Sequence, residues 1–163
     1  MCFPRPNPFR HTRGTKKFSR TKRLDITLIL VRVKNAMQPP KERAMRKVNL
    51  KNSFESFAEQ WSPKIVGEVN DSYVKLVKFT GEFVWHHHDE EDEMFLVVKG
   101  RMLMRLEDQD IWVEEGEFII IPKGVEHMPV AEEEAHVMLF EPRTTLNTGN
   151  VQNERTVPTL DRI

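Results

Sequence analysis

Histidine and acidic side chains are concentrated in one stretch, GEFVWHHHDEEDEMFLVVKG from Gly81 to Gly100. In an extended chain successive side chains alternate sides, so His86 and His88 face the same way, roughly 6 to 7 Å apart at about 3.3 Å per residue. Two imidazoles placed in this way can bind one metal ion. His87 faces the opposite way and is interpreted as a surface or packing histidine.

Two further candidate ligands come from outside this pair. Glu93 has the wrong parity for a continuous strand, but the polar turn at residues 89–92 can reset the register and let its carboxylate point inward. His127 follows a Pro-Lys-Gly turn that can place an imidazole from a distant strand opposite the other three groups. Three imidazoles and one carboxylate suit Zn²⁺, Mn²⁺, Fe²⁺, Ni²⁺ or Cu²⁺ and leave positions for water or a substrate.

The elements that must position these side chains are mostly short strands. From Lys64 onward the chain alternates short β-type runs with turn residues, a pattern typical of a sandwich or barrel. Before it, Asn52 and Glu55 resemble a capping box, and spaced aromatic residues predict one helix over residues 53–61. The predicted strands cover residues 64–69, 72–79, 83–88, 93–99, 101–107, 111–113, 118–121, 127–130 and 135–141.

Glycine and proline spacing around the candidate ligands resembles the two motifs of the cupin superfamily, in particular small single-domain bacterial cupins, over about residues 66–142. The motif positions are Gly81, His86, His88, Glu93 and Gly100, then Gly116, Pro122, Gly124 and His127. Two departures stand out. Four residues rather than five separate Gly81 from His86, and Ala131 replaces the Asn of the second motif.

A shifted register would use His87 and Asp89 as the ligand pair and restore the five-residue gap. It would also replace a histidine by a carboxylate and shorten the spacing to Glu93, so the ligand set retained is His86, His88, Glu93 and His127. The resemblance implies an all-β, antiparallel, jelly-roll-like barrel with the metal inside, and it implies frequent homodimers.

Fold does not select function, because cupins include sugar-phosphate isomerases, dioxygenases, decarboxylases and binding domains. The first hypothesis is a metal-binding cupin that acts on or binds a small organic molecule. The first alternative is a non-catalytic binding or sensor module with the same pocket. The second is a dioxygenase or a sugar-phosphate isomerase-like activity, in keeping with the mannose-6-phosphate isomerase label that small cupins often carry.

The candidates for the pocket lining are apolar, and the alternative for such side chains, which is the more common one, is plain barrel core. Phe95 and Val97 share the parity of Glu93, and Met102 and Met104 share one face of the next strand. Lysine and arginine are not clustered near the motifs, which disfavours a phosphate-bearing substrate. Tyr73 and Glu126 are possible acid/base partners, but no spacing compels either role, so the catalytic residues stay open.

Charge divides the chain into two parts. Residues 1–47 carry 14 basic and 2 acidic side chains, net +12, and the remainder carries 11 basic and 23 acidic side chains, net −12. The predicted organisation is a disordered basic leader (1–44), a short helix with its lead-in (45–63), the barrel (64–142) and a polar tail (143–163).

Three interpretations of the leader compete: a nucleic-acid-binding arm, an Arg-rich transit peptide, or an upstream region translated from a mistaken start. We favour the third. Lys41-Glu42 can be encoded AAGGAG, a ribosome-binding sequence placed two codons before Met45. Met45 would then be the initiator, and a gene that lacks this purine-rich sequence would remove the support for this hypothesis.

Compartment and partners follow from composition. One cysteine, Cys2, excludes an internal disulfide, so a reducing cytoplasm is expected. The apolar run at residues 26–33 is far shorter than the roughly 20 residues of a membrane span. The acidic barrel disfavours nucleic acid binding. The expected partners are a small-molecule ligand and a second copy of the chain.

Overall fold

A computed structural model describes residues 45–163 of the chain. The predicted leader at residues 1–44, with its competing interpretations, lies outside the described residues. In the described part, no helix combines the length and the apolar character that a membrane crossing needs.

A single turn-and-a-half helix precedes the strands in the described chain. Helix α1 spans Leu50–Glu55, and the side chain of its N-cap, Asn49, accepts a hydrogen bond from the Asn52 N–H at 3.1 Å. The prediction of one short helix before the strands is confirmed, but the predicted bounds, 53–61, and the predicted cap, Asn52, are wrong. With the helix in this position, Phe54 packs in a cluster with Leu76. After the helix, the Trp61 N–H donates a hydrogen bond to the Lys78 carbonyl at 2.9 Å.

Within residues 45–163, seven strands form the antiparallel barrel that the cupin resemblance implied. All the paired strands run antiparallel, and the pairing order is β1-β2-β7-β3-β6, with β4 joining β7 to β5. The strands are β1 Lys64–Val69, β2 Ser72–Glu82, β3 Glu93–Lys99, β4 Arg101–Leu106, β5 Asp110–Glu114, β6 Phe118–Ile121 and β7 His127–Pro142.

The long strand β7 joins the two halves of the barrel. Its first residues pair with β4, from Leu106 opposite His127 to Leu103 opposite Val130. Its later residues pair with β3, with Met94 opposite Phe140. Strand β2 runs along the other edge of β7 for most of its length, so one strand ties both sets of neighbours together.

Side-chain alternation separates the interior of the barrel from its outer surface. Along β3, Glu93, Phe95 and Val97 are buried, and the residues between them are only partly buried. On β2, Val77 belongs to the main core and its neighbour Leu76 belongs to a second cluster with Phe54. Apolar residues of β2, β3, β4 and β7 therefore fill the barrel, while α1 packs on the opposite face of β2.

In two regions the predicted strands do not form as predicted. Residues 83–88 form no regular strand, because β2 ends at Glu82 and only His86 makes an isolated bridge, to His127. The two runs predicted at 127–130 and 135–141 belong to one 16-residue strand, β7. The acidic residues between the two runs are exposed, yet their backbone stays extended. A search for alternating apolar and polar residues does not recognise such a segment as part of a strand.

Candidate metal centre

Four side chains from three separate segments converge in the barrel. His86 and His88 lie in the segment after β2, Glu93 is the first residue of β3 and His127 is the first residue of β7. One possible ligand atom from each of the four lies within 4.8 Å of the others, and all four residues are buried. These are the four side chains that the sequence predicted as ligands.

Backbone hydrogen bonds hold the two histidine segments together. The His86 N–H donates to the His127 carbonyl at 3.1 Å, and the His127 N–H donates to the His86 carbonyl at 2.9 Å. The Gly124 N–H donates to the His88 carbonyl at 2.7 Å. His87 points away from the cluster, and its ring lies beside Asp89 and Glu126, as predicted for the middle histidine.

Two of the imidazoles have their tautomer fixed by the backbone. Nδ1 of His86 lies 3.0 Å from the Val84 carbonyl oxygen, and Nδ1 of His127 lies 2.9 Å from the Val125 carbonyl oxygen. A carbonyl only accepts hydrogen bonds, so each Nδ1 carries the proton and each Nε2 keeps its lone pair. This is the arrangement in which a histidine binds a metal through Nε2.

Three atoms at the centre have no hydrogen-bond partner among the described residues: His88 Nε2, His127 Nε2 and Glu93 Oε2. Oε2 lies 3.2 Å from His88 Nε2 in a pair that is not aligned as a hydrogen bond, and 3.6 Å from His127 Nε2, which is too long for one. Buried polar atoms are rarely left unpaired because their desolvation is costly. A cation bound among the three would satisfy all of them, so the donor set fits a metal ion.

The electrostatics of the site favour the ligand forms of these groups. Burial, assisted by the neighbouring His127, lowers the pKa of His86 to about 4. Burial by itself would raise the pKa of Glu93, but the adjacent imidazoles of His127 and His88 outweigh it and hold that pKa well below its usual range. At neutral pH, His86 is therefore neutral and Glu93 is ionised, as metal binding requires.

A buried ion pair borders the candidate centre. Lys75 Nζ lies 2.7 Å from Glu141 Oε1, and both side chains are inaccessible to solvent. Extending the β3–β7 register by one residue from Met94 and Phe140 places Glu93 opposite Glu141. Burial and the Glu93 carboxylate raise the pKa of Glu141, and Lys75 acts against them.

Comparison with known proteins agrees with this architecture. Residues 73–142 match the family model described as a cupin domain. The chain is 47% identical to a cupin-2 domain containing protein from Shewanella frigidimarina; the match covers 59% of this chain and 94% of that one, with a TM-score of 0.58. The chain belongs to the cupin superfamily.

Two curated relatives of this cupin match over shorter shares of their length. YdbB of Bacillus subtilis is 43% identical over 63 residues, which is 38% of this chain and 56% of YdbB. An acireductone dioxygenase of Phaeosphaeria nodorum is 34% identical over 102 residues, which is 57% of this chain and 56% of the relative. The chain thus spans little more than half the length of either curated relative.

An aromatic pocket opens beside the candidate centre of the cupin barrel. Its enclosed cavity amounts to about 20 Å³, and about 320 Å³ is free of protein atoms when the opening to solvent is counted. Trp61 stacks on Phe79 and Phe83, with ring centroids 4.3 and 4.8 Å apart, and its indole N–H donates to the Thr80 carbonyl at 2.9 Å. The lining residues are Trp61, Pro63, Val77, Phe79, Phe83, His86, Glu93, Phe95, Pro129, Leu139 and Asn147.

The pocket differs in part from the one the sequence predicted. Phe95 lines it as expected, whereas Val97, Met102 and Met104 lie fully buried in the core. Sequence reasoning missed Trp61, the last residue of the predicted helix over 53–61, and Asn147, which lies in the polar tail. The Asn-Thr-Gly-Asn turn was the available signal for the tail, since glycine between polar residues marks a turn with a defined shape.

Proposed function

We propose that this cupin binds a divalent first-row transition metal through His86, His88, Glu93 and His127, and that it acts on or binds a small, mainly apolar organic molecule next to that metal. The observation that carries the proposal is the convergence of three buried, unpartnered ligand atoms on one point. Three nitrogens and one carboxylate oxygen suit Zn²⁺, Mn²⁺, Fe²⁺, Ni²⁺ or Cu²⁺.

The bound metal would act as a Lewis acid on an oxygen of the ligand. The residues of the chain supply the rest. His86 and Glu93 belong both to the ligand set and to the pocket wall, so a molecule in the pocket meets the centre directly. The stacked rings of Trp61, Phe79 and Phe83 would hold its apolar part and exclude water from that side.

The residue types in the pocket wall favour some of the candidate reactions over others. Among the described residues that line it, none is lysine or arginine, and the Arg155 guanidinium, 5.9 Å from the ring centroids of both Trp61 and Phe83, lies outside the lining. This weighs against a sugar-phosphate isomerase. The relative described as acireductone dioxygenase supports a dioxygenase as the second candidate, and 34% identity over about half of that protein makes this a proposal only.

A substrate screen separates an enzyme from a binding or sensor module. Metal-loaded protein is tested for turnover of dicarbonyls, phenolic compounds and sugar phosphates, with a metal-loading-deficient His127→Ala variant as the control. Turnover of a dicarbonyl or phenolic compound that the control lacks would support an enzyme. Tight binding without turnover by the wild type would support the sensor module, and neither binding nor turnover would contradict the proposed ligand pocket.

We also propose a homodimer in the cytoplasm and the division of the chain near residues 44, 63 and 142. Phe118 and Ile120 on β6, at one end of the strand order, are 61% and 55% exposed, which supports a partner copy at that edge.

The acidic excess after residue 47 supports the expectation that the barrel does not bind nucleic acid.

A further inference from the structure

The C-terminal tail packs directly against the segment that carries two of the candidate ligands. The Asn150 N–H donates to the His87 carbonyl at 3.0 Å. The Asn150 side-chain oxygen accepts a hydrogen bond from the His87 N–H, also at 3.0 Å. Both backbone groups of His87 are therefore held by one residue of the tail, 63 positions away along the chain.

Gly149 permits the close approach of the tail. Its φ is +51°, a left-handed conformation that side chains rarely adopt. A Cβ atom at this position would lie 2.1 Å from the His87 carbonyl oxygen and 3.2 Å from Cδ2 of His86. Backbone atoms cannot give way cheaply at such a distance, so any side chain here would push the turn and the ligand segment apart.

Internal hydrogen bonds fix the shape of the tail around this turn. Thr148 is fully buried, and its hydroxyl lies 2.9 Å from the hydroxyl of Thr156. The Asn147 side chain donates to the Arg155 carbonyl at 2.8 Å and accepts from the Val157 N–H at 2.8 Å. The turn is thus tied into the tail on both sides.

The ligand segment has no strand of its own to hold it in place. His86 pairs with His127 on one edge, and His87 pairs with Asn150 on the other edge. The second motif and the C-terminal turn therefore enclose the segment between them. Loss of the turn would leave one edge of the His86–His88 backbone unsupported, and the imidazoles would lose a fixed orientation.

We infer that the turn Asn147–Asn150 is a positioning element for the metal centre, with Gly149 and Asn150 as positioning residues. The inference rests on the proposed metal site. Groups that orient metal ligands without touching the metal change affinity by about 10- to 100-fold when they are replaced. We expect losses of that size from changes in the turn.

The test measures Co²⁺ binding by chelator competition, together with the visible absorption spectrum of the Co²⁺ complex. Gly149→Ala is expected to weaken Co²⁺ binding about 10- to 100-fold and to change the spectrum. Gly116→Ala is the matched control, because Gly116 also has a positive φ, +86°, but a Cβ there meets no atom of the described chain within 4 Å. The control should keep the affinity and spectrum of the wild type.

A second pair of variants covers the case in which Gly149→Ala does not fold. Asn150→Leu removes the side-chain acceptor of the His87 N–H, and Asn150→Asp retains an oxygen in its place. Weakened binding in the first and near wild-type binding with an unaltered spectrum in the second would support the positioning role. Wild-type affinity and spectrum in a folded Gly149→Ala protein or in Asn150→Leu would overturn it. If the wild-type chain itself binds no Co²⁺, the proposed metal site and the positioning role both fail.

Discussion

Two clusters of buried polar side chains lie next to each other in the barrel, and their charges are balanced in different ways. In the first, Lys75 and Glu141 meet at 2.7 Å, so a cation and a carboxylate face each other. In the second, the ligand atoms of His88, His127 and Glu93 face one another without a hydrogen-bond partner in residues 45–163. The charges of a buried ion pair are compensated by each other. Buried atoms that all accept hydrogen bonds do not compensate each other, and a bound cation would satisfy them.

The cluster of Lys75 and Glu141 also contains a buried polar atom without a hydrogen-bond partner in the described part of the chain. Glu141 Oε2 has no hydrogen-bond partner among the described residues, and Glu93 lies across the ladder from it. Lys75 is the cation paired with Glu141, which is the residue opposite Glu93 in the extended register. Its removal should act on folding, and removal of a candidate ligand should act on metal binding.

The largest effect is expected from Lys75→Met. Breaking a buried ion pair by removing one partner costs about 3 to 5 kcal/mol, because the remaining charge is left without compensation. Urea unfolding at neutral pH measures the loss. The double variant Lys75→Met/Glu141→Leu is the control, and it should recover much of that loss. A double variant as unstable as the sum of the two single variants would contradict the assignment of a coupled pair.

A smaller effect is expected from acid on the metal-free protein. The pKa of folded His86 is about 4, below its ordinary value of 6.5, so the folded state binds fewer protons than the unfolded state between these values. Stability is then fully present above pH 6.5 and is lost as the pH falls toward 4. A shift of this size corresponds to about 3 kcal/mol at most.

Urea unfolding of the metal-free protein across this pH range measures the effect. The control is His86→Gln, which removes the titrating group and should lose less stability over the same range. Lys75→Met should keep the contribution of His86, because it alters the other cluster. An equal pH dependence in wild type and His86→Gln would show that His86 does not titrate as described.

The smallest of these changes in folding free energy is the stabilisation by added metal. A ligand that binds only the folded state stabilises it by about 2.7 kcal/mol at 100 times its dissociation constant. Zn²⁺ added to the metal-free wild type should raise the free energy of unfolding by this amount. Lys75→Met should respond in the same way and His86→Ala/His127→Ala should not. An equal response in the double variant would place the bound Zn²⁺ elsewhere.

Much of the site could be predicted from the sequence because its signals are local. Alternation along an extended chain placed His86 and His88 together and turned His87 away, although residues 83–88 form no strand. Alternation depends on an extended backbone and does not need a regular ladder. The polar turn at residues 89–92 resets the register, so the Glu93 side chain points to the same side as those of His86 and His88.

The parts that could not be predicted depend on distant contacts. Asn49 and Asn52 have the same capping chemistry, and the packing of Phe54 against the sheet decides between them. Trp61 enters the pocket wall because its backbone pairs with Lys78, and the tail reaches His87 through Asn150. Neither the contact of Trp61 with Lys78 nor the contact of Asn150 with His87 can be recognised in a local sequence pattern.

The central claim is that His86, His88, Glu93 and His127 hold a metal ion, and metal analysis tests it most directly. The chain is purified without a histidine affinity step, and its first-row transition metals are quantified beside those of His86→Ala/His127→Ala. We expect stoichiometric metal in the wild type and almost none in the double variant. Substoichiometric metal in the wild type, unchanged in the double variant, would contradict it.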